Sequence, residues 1–171
     1  MQFSTLLATA VALTGASAAA IQSSIRFNIE SDNQEVNNKG LSSIHEGAAI
    51  NYFFAGEGSE SFDFDYKTGV ISKNVEIADN QTYEAFFTIQ EGGSGFHTLQ
   101  TSPSYDNTKW AVENGYLTGN GSNTFFAVKG TNDPYNYSKE SFQIGVMAPH
   151  SPNIYDAVVP IKIKATVDSV A

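Results

Sequence analysis

Beyond the first twenty residues the chain alternates. Ile25, Phe27 and Ile29 are separated by Arg26 and Asn28, the period-two signature of a strand with one buried face. The same pattern returns at Phe62, Phe64 and Tyr66 around Asp63 and Asp65, at Ala85, Phe87 and Ile89, and at Phe142, Ile144 and Val146. It is longest near the end, where Val159, Ile161, Ile163, Ala165 and Val167 alternate with Pro160, Lys162, Lys164 and Thr166. Pro160 has no N–H to give to a ladder, so this strand is expected to start or run along an edge there.

Two apolar runs without alternation, Ala49 to Phe54 and Phe125 to Val128, read as strands buried on both faces. Asn114-Gly115 and Asn120-Gly121 suit two-residue type I′ turns, which need positive φ at both central positions, and they frame a short strand over Tyr116 to Thr118. No helix of ten residues is suggested after the first twenty. Many short strands punctuated by turn residues predict an all-β domain over residues 21–171, an antiparallel β-sandwich with a closed β-barrel as the alternative.

The first twenty residues read differently. Leu6 to Leu13 is an apolar run too short to span a bilayer, and Ala16-Ser17-Ala18 and Ala18-Ala19-Ala20 both fit a small-residue cleavage rule. Residues 1–20 are therefore expected to form a signal-peptide helix, cut after Ala18 or Ala20, and the mature protein to be secreted.

Export changes what the composition means. Small secreted domains are often stapled by disulfides, yet this chain has no cysteine. Stability must come from the core, and roughly 150 residues can bury about 68–70% of the surface their unfolded chain exposes. The lack of cysteine also excludes thiolate-bound zinc, iron–sulfur clusters and cysteine nucleophiles. A formal charge of −9 with no basic cluster argues against nucleic acid as a partner.

The opening residues MQFSTLLATAVALTGASA resemble the leaders of small yeast cell-wall mannoproteins, and Asn114 to Gly130, NGYLTGNGSNTFFAVKG, is similar to a segment of fungal wall proteins. The resemblance implies a fungal protein of the cell wall or its surroundings. Such proteins commonly carry a glycosylphosphatidylinositol signal or glutamine-containing repeats that link them to glucan. The chain ends IKIKATVDSVA, without the hydrophobic tail of such a signal, so free secretion or noncovalent retention, without that anchor, is expected.

Candidate chemistry is sparse. Asp63 and Asp65 lie on one strand face, roughly 6.6 Å apart by strand rise, near a glycosidase carboxylate separation. Alternation places paired acids on a solvated face more often, and no catalytic residue is expected. His45, His97 and His150 have no metal-ligand spacing. Gly92 to Gly95 lacks the order of a nucleophile elbow, and Gly56 to Ser61 lacks the third glycine of a dinucleotide fingerprint. No metal or other cofactor is expected.

Three sequons, at Asn80, Asn120 and Asn136, sit in turn-like segments and are expected glycosylation sites. Trp110, Tyr105, Tyr116, Tyr135 and Tyr137 fall in or near loops, where aromatic faces can stack on sugar rings. An oxygen-ligand calcium site using Asp106 or Asp133 would fit such a surface, although no 12-residue ligand loop is present. The chain therefore reads as a noncatalytic, monomeric, secreted or wall-associated glycoprotein with a structural or surface role and no membrane anchor. A module binding cell-wall polysaccharide is the alternative.

Overall fold

The computed structural model describes residues 22–77, 81–151 and 154–168. The expected signal helix and its cleavage site lie outside the described residues, as does Asn80. Twelve strands follow one another: β1 (Gln22–Glu30), β2 (Gly40–His45), β3 (Asn51–Gly56), β4 (Ser61–Asp65), β5 (Val70–Glu76), β6 (Thr82–Gln90), β7 (Phe96–Ser102), β8 (Trp110–Glu113), β9 (Tyr116–Gly119), β10 (Phe125–Lys129), β11 (Gln143–Met147) and β12 (Ala157–Val167). Among the described residues the helical content is a single 3-10 turn, Tyr137–Lys139.

The expected sandwich is corrected to a barrel. All twelve strands belong to one sheet, and nine of them close on themselves in the order β1-β4-β5-β6-β7-β3-β11-β10-β12 and back to β1. Closure shows at β1, whose Ile25 pairs with Phe62 of β4 on one side and Val167 of β12 on the other. Alternation marks which face of a strand is buried, and it does so equally for a sandwich and a barrel. Only the pairing of the first strand with the last separates the two.

A barrel of about this size is just wide enough for side chains to fill. Phe27, Phe53, Phe62 and Phe87 meet at the centre with ring centroids 4.8–5.8 Å apart, all fully buried. All four rings come from strands of the wall, Phe27 from β1, Phe62 from β4, Phe87 from β6 and Phe53 from β3, whose hairpin with β2 closes one end. That end is the one where β5 turns into β6: the Tyr83 hydroxyl at the start of β6 donates to Ala49 O in the β2–β3 turn, 3.2 Å away.

The β8–β9 hairpin plugs the opposite end. Its backbone docks on the β4–β5 turn through Trp110 N–H to Gly69 O at 3.0 Å. Trp110 enters the core edge-on to Phe87, 5.0 Å between centroids, and its indole N–H donates to Phe87 O at 2.8 Å. Gly119, opposite Trp110 in the hairpin, is required there, because a Cβ would stand 2.8 Å from the indole ring. The Asn114-Gly115 turn takes the expected geometry, with φ of 51° and 84°, and so does Asn120-Gly121, with 51° and 80°.

Pro160 lies inside β12 rather than at its start. It is tolerated because β12 has β10 alone as its neighbour over Ala157–Ile161 and begins to pair with β1 only at Lys162.

Candidate functional site

The residues expected to form an aromatic sugar platform do not share a surface. Trp110 is 3% exposed and belongs to the core, so it offers no face to a ligand. Tyr105 lies edge-on to Phe86 with Lys109 over its ring. Tyr116, on β9, donates to both carboxylate oxygens of Glu30 at 3.0 Å, which pushes its own pKa up, and Lys162 sits over its ring.

Only Tyr135 and Tyr137 stand together. Their rings are 6.0 Å apart, and at 56% and 42% exposure they form one ring pair on the loop that joins β10 to β11. Asp133 builds that loop. Its Oδ2 accepts the Tyr137 N–H at 2.7 Å and its Oδ1 the Ser138 N–H at 2.9 Å, which starts the 3-10 turn. Burial pushes this carboxyl up, but the hydrogen bonds from Ser138, Glu46 and Tyr137 outweigh it and hold Asp133 below the usual carboxylate value. Phe54 lies edge-on beneath Tyr137, 6.1 Å away, so the loop also covers the outer side of β3. A small cavity of about 120 Å³ remains under the loop among Tyr52, Thr98, Asp133 and Gln143.

Asn136 sits between the two tyrosines with φ of 60° and an exposed side chain, while the Ser138 of its sequon is buried and its Oγ accepts the Thr131 N–H at 3.0 Å. Asn120 is exposed in its turn, and its Oδ1 accepts the Lys109 N–H at 2.9 Å. It rims a cleft of about 690 Å³ at the plugged end, whose walls combine Ile89, Val146 and Met147 with Gln90, Glu91, His97 and Asp106. Asp106 is already engaged, accepting from Ile89 N–H and from Thr108 N–H and Oγ1.

Asp63 and Asp65 project from the outer side of β4 away from Phe62 and Phe64. Asp65 caps the β4–β5 turn, accepting the Lys67 and Thr68 N–H groups at 2.8 and 3.2 Å, and the contacts with Thr68 and then Lys67 hold its pKa below the usual value. Among the described residues no group of three or more His, Asp or Glu side chains is placed to hold a metal ion. The sequence reading passed over Glu46, which lies 7% exposed beside the β10–β11 loop. A His-Glu-Gly turn shows nothing of the distant segment that buries it.

The fold and these surfaces define a class: a small barrel filled by its own side chains, plugged at both ends and decorated by loops. Comparison with known proteins adds its relatives. The chain is similar to Candida albicans cell wall protein PGA31, 34% identical over 163 residues, covering 94% of this chain and 51% of the relative. Cell wall protein PGA30 of the same organism is 33% identical over 138 residues, 81% of this chain and 48% of the relative, and cell wall protein RHD3 is 31% identical over 135 residues, 79% and 64%. The chain thus spans about half the length of PGA30 and PGA31. A 163-residue match takes in the barrel, so the expected resemblance to yeast cell-wall proteins holds well beyond the leader. No protein-family profile matches the chain, and no solved structure matches it.

Proposed function

We propose that this chain is a secreted, wall-associated fungal domain with a structural, noncatalytic role. One observation carries the reading: the similarity to proteins named cell wall proteins runs through nearly the whole barrel. The packing supports it. The barrel interior holds rings instead of a ligand chamber, and the acidic pair with glycosidase-like spacing lies on the outer face, with Asp65 occupied as a turn cap.

The test is fractionation of the epitope-tagged full-length protein into medium, detergent extract and glucanase-released wall, together with wall integrity in a strain lacking it. Recovery in a wall fraction and altered sensitivity to wall-binding dyes are expected. An intracellular or membrane-only protein, or hydrolysis of wall glucan, chitin or mannan by the purified chain, overturns the reading.

A second reading, retention on wall polysaccharide, is favoured by the exposed Tyr135–Tyr137 pair. It predicts that Tyr135→Ala with Tyr137→Ala abolishes pull-down on insoluble wall polymers while leaving the far-UV circular dichroism spectrum unchanged. Equal pull-down removes it.

A further inference from the structure

Glu46 and Asp133 are acidic, buried and in contact, at 7% and 6% exposure. Neither has a cationic partner among the described residues, where the ion pairs join Arg26 to Asp168, Lys39 to Glu57 and Lys73 to Glu60. Two ionised carboxyl groups in such a place repel one another, and burial disfavours both charges. Asp133 is committed to the ionised form, because each of its oxygens accepts a backbone N–H of the 3-10 turn.

Glu46 is different. Its Oε2 accepts the Tyr135 N–H at 3.2 Å, and its Oε1 is buried without a protein hydrogen-bond partner. An unpaired carboxylate oxygen is costly, whereas a carboxylic acid carries a donor. A proton on Glu46 removes one of the two charges and lets the side chain donate to Asp133. A single proton therefore accounts for both the contact and the orphaned oxygen.

The other titratable groups around the pair do not offset it. Tyr52 reaches it from β3, and its pKa is pushed up by burial, then by Glu46 and Asp133, so it stays neutral. Tyr135 and Tyr137 on the loop bring no cationic group to the pair, and Tyr135 reaches back over the β2–β3 turn, its hydroxyl 3.8 Å from where a Cβ on Gly47 would lie. His45, one residue before Glu46, turns to Asn51 at 3.3 Å.

We propose that Glu46 and Asp133 form a one-proton latch that pins the tip of the β10–β11 loop to the β2–β3 turn, and that withdrawing the proton loosens the tip with its Tyr135–Tyr137 pair. The base of the loop is held without titration in this range, by Thr131 to Gln143 and by Ala55 N–H to Phe142 O at 2.8 Å. Opening is thus confined to the tip and uncovers Phe54, now 1% exposed beneath Tyr137.

The direction and size follow from linkage. Burial first, then the contact with Asp133, raises the Glu46 carboxyl from its ordinary 4.5 to about 7, against the opposing pull of the Tyr135 N–H. The closed loop therefore holds a proton that the open loop releases. The latch is fully fastened below about 4.5, loosens as pH rises, and stops loosening above about 7. The opening equilibrium should rise about tenfold per pH unit across that window, roughly 300-fold in all.

The test is amide hydrogen exchange of the full chain from pH 4.5 to 8, corrected for intrinsic exchange rates. For the tip, residues 133–138, the opening constant is expected to rise with pH and level off near 7, while β1 and β6 change little. Glu46→Gln, whose amide donates to Asp133 without titrating, is expected to give a flat profile. A flat profile in the native protein, an unchanged slope in the variant, or a slope shared equally by the barrel strands overturns the latch. Should the variant fold poorly, the carboxyl carbon resonance of Glu46 in the native protein decides: titration near 7 supports the latch, and titration near 4.5 refutes it.

Discussion

Replacing Trp110 separates a structural tryptophan from a sugar-binding one. A surface platform loses its ligand on Trp110→Ala and keeps its fold. The structure places this ring at 3% exposure against Phe87, with its N–H bonded to a buried carbonyl. Truncation of a core Trp to Ala costs about 3–5 kcal/mol through lost burial and the cavity left behind. Trp110→Phe keeps most of the ring but removes the donor, leaving Phe87 O unpaired at a cost of about 1–3 kcal/mol. With a urea m-value of roughly 2 kcal/mol/M, the Ala variant should unfold about 1.5–2.5 M earlier and the Phe variant about 0.5–1.5 M earlier. Circular dichroism is the appropriate signal, because Trp110 is the only tryptophan and each variant removes its fluorescence. An Ala variant with an unchanged midpoint would refute the plug, and lost polysaccharide retention at that same stability would restore the platform.

Gly115→Ala should lower stability by about 1–2 kcal/mol through backbone strain alone, since φ there is +84° and an added Cβ meets nothing within 4 Å; a Tm fall of about 2–4 °C per kcal/mol is the readout. Asp65→Asn should weaken the β4–β5 turn and Asp63→Asn should not, with neither creating or removing hydrolysis of wall polymers in a reducing-sugar assay. Asp168 is held below the usual carboxylate value by Arg26 and then Ser24, so its contribution is present above about 3.8 and lost as pH falls through its folded value. Asp168→Asn should accordingly flatten the acid side of a Tm-against-pH curve. Ending the chain at Asp156 removes β12 and opens the edges of β1 and β10 together, so sedimentation should show aggregates, and a soluble monomer would sink the closed-barrel account.

What was legible in the sequence was whatever one strand reports about itself. Ile25, Phe27 and Ile29, and later Ile161 and Ile163, announced their buried face because polar residues alternate with them, and the two Asn-Gly turns announced positive φ. β2 and β7 were silent for a physical reason. In β7, Gln100 and Thr101 are buried as deeply as Leu99, so burial there does not follow hydrophobicity. Trp110 was misplaced because the polar segment before it reads as loop, although the residue itself opens β8. Glu46 gave no local signal, since what buries it comes from a loop whose Tyr135 lies 89 residues further on.

The same geometry explains how a domain of this size holds together without cysteine. A disulfide would tie distant parts of the chain together; here the first and last strands do so themselves, with Ile25 to Glu30 paired in register with Val167 to Lys162. Asp168 fastens the end of that seam: its N–H donates to Ser24 O at 2.9 Å, while its Oδ2 accepts from Arg26 Nε and Ser24 Oγ, both at 3.0 Å. Closure also removes the open edges that invite association with other chains. The seam cannot form until β12 exists, so the fold depends on contacts that span nearly the whole domain and should form slowly for its size. Its stability is correspondingly shared between the seam and the two hairpins that meet on Phe87, and the latch fastens the β10–β11 loop to the turn of one of them, the β2–β3 hairpin.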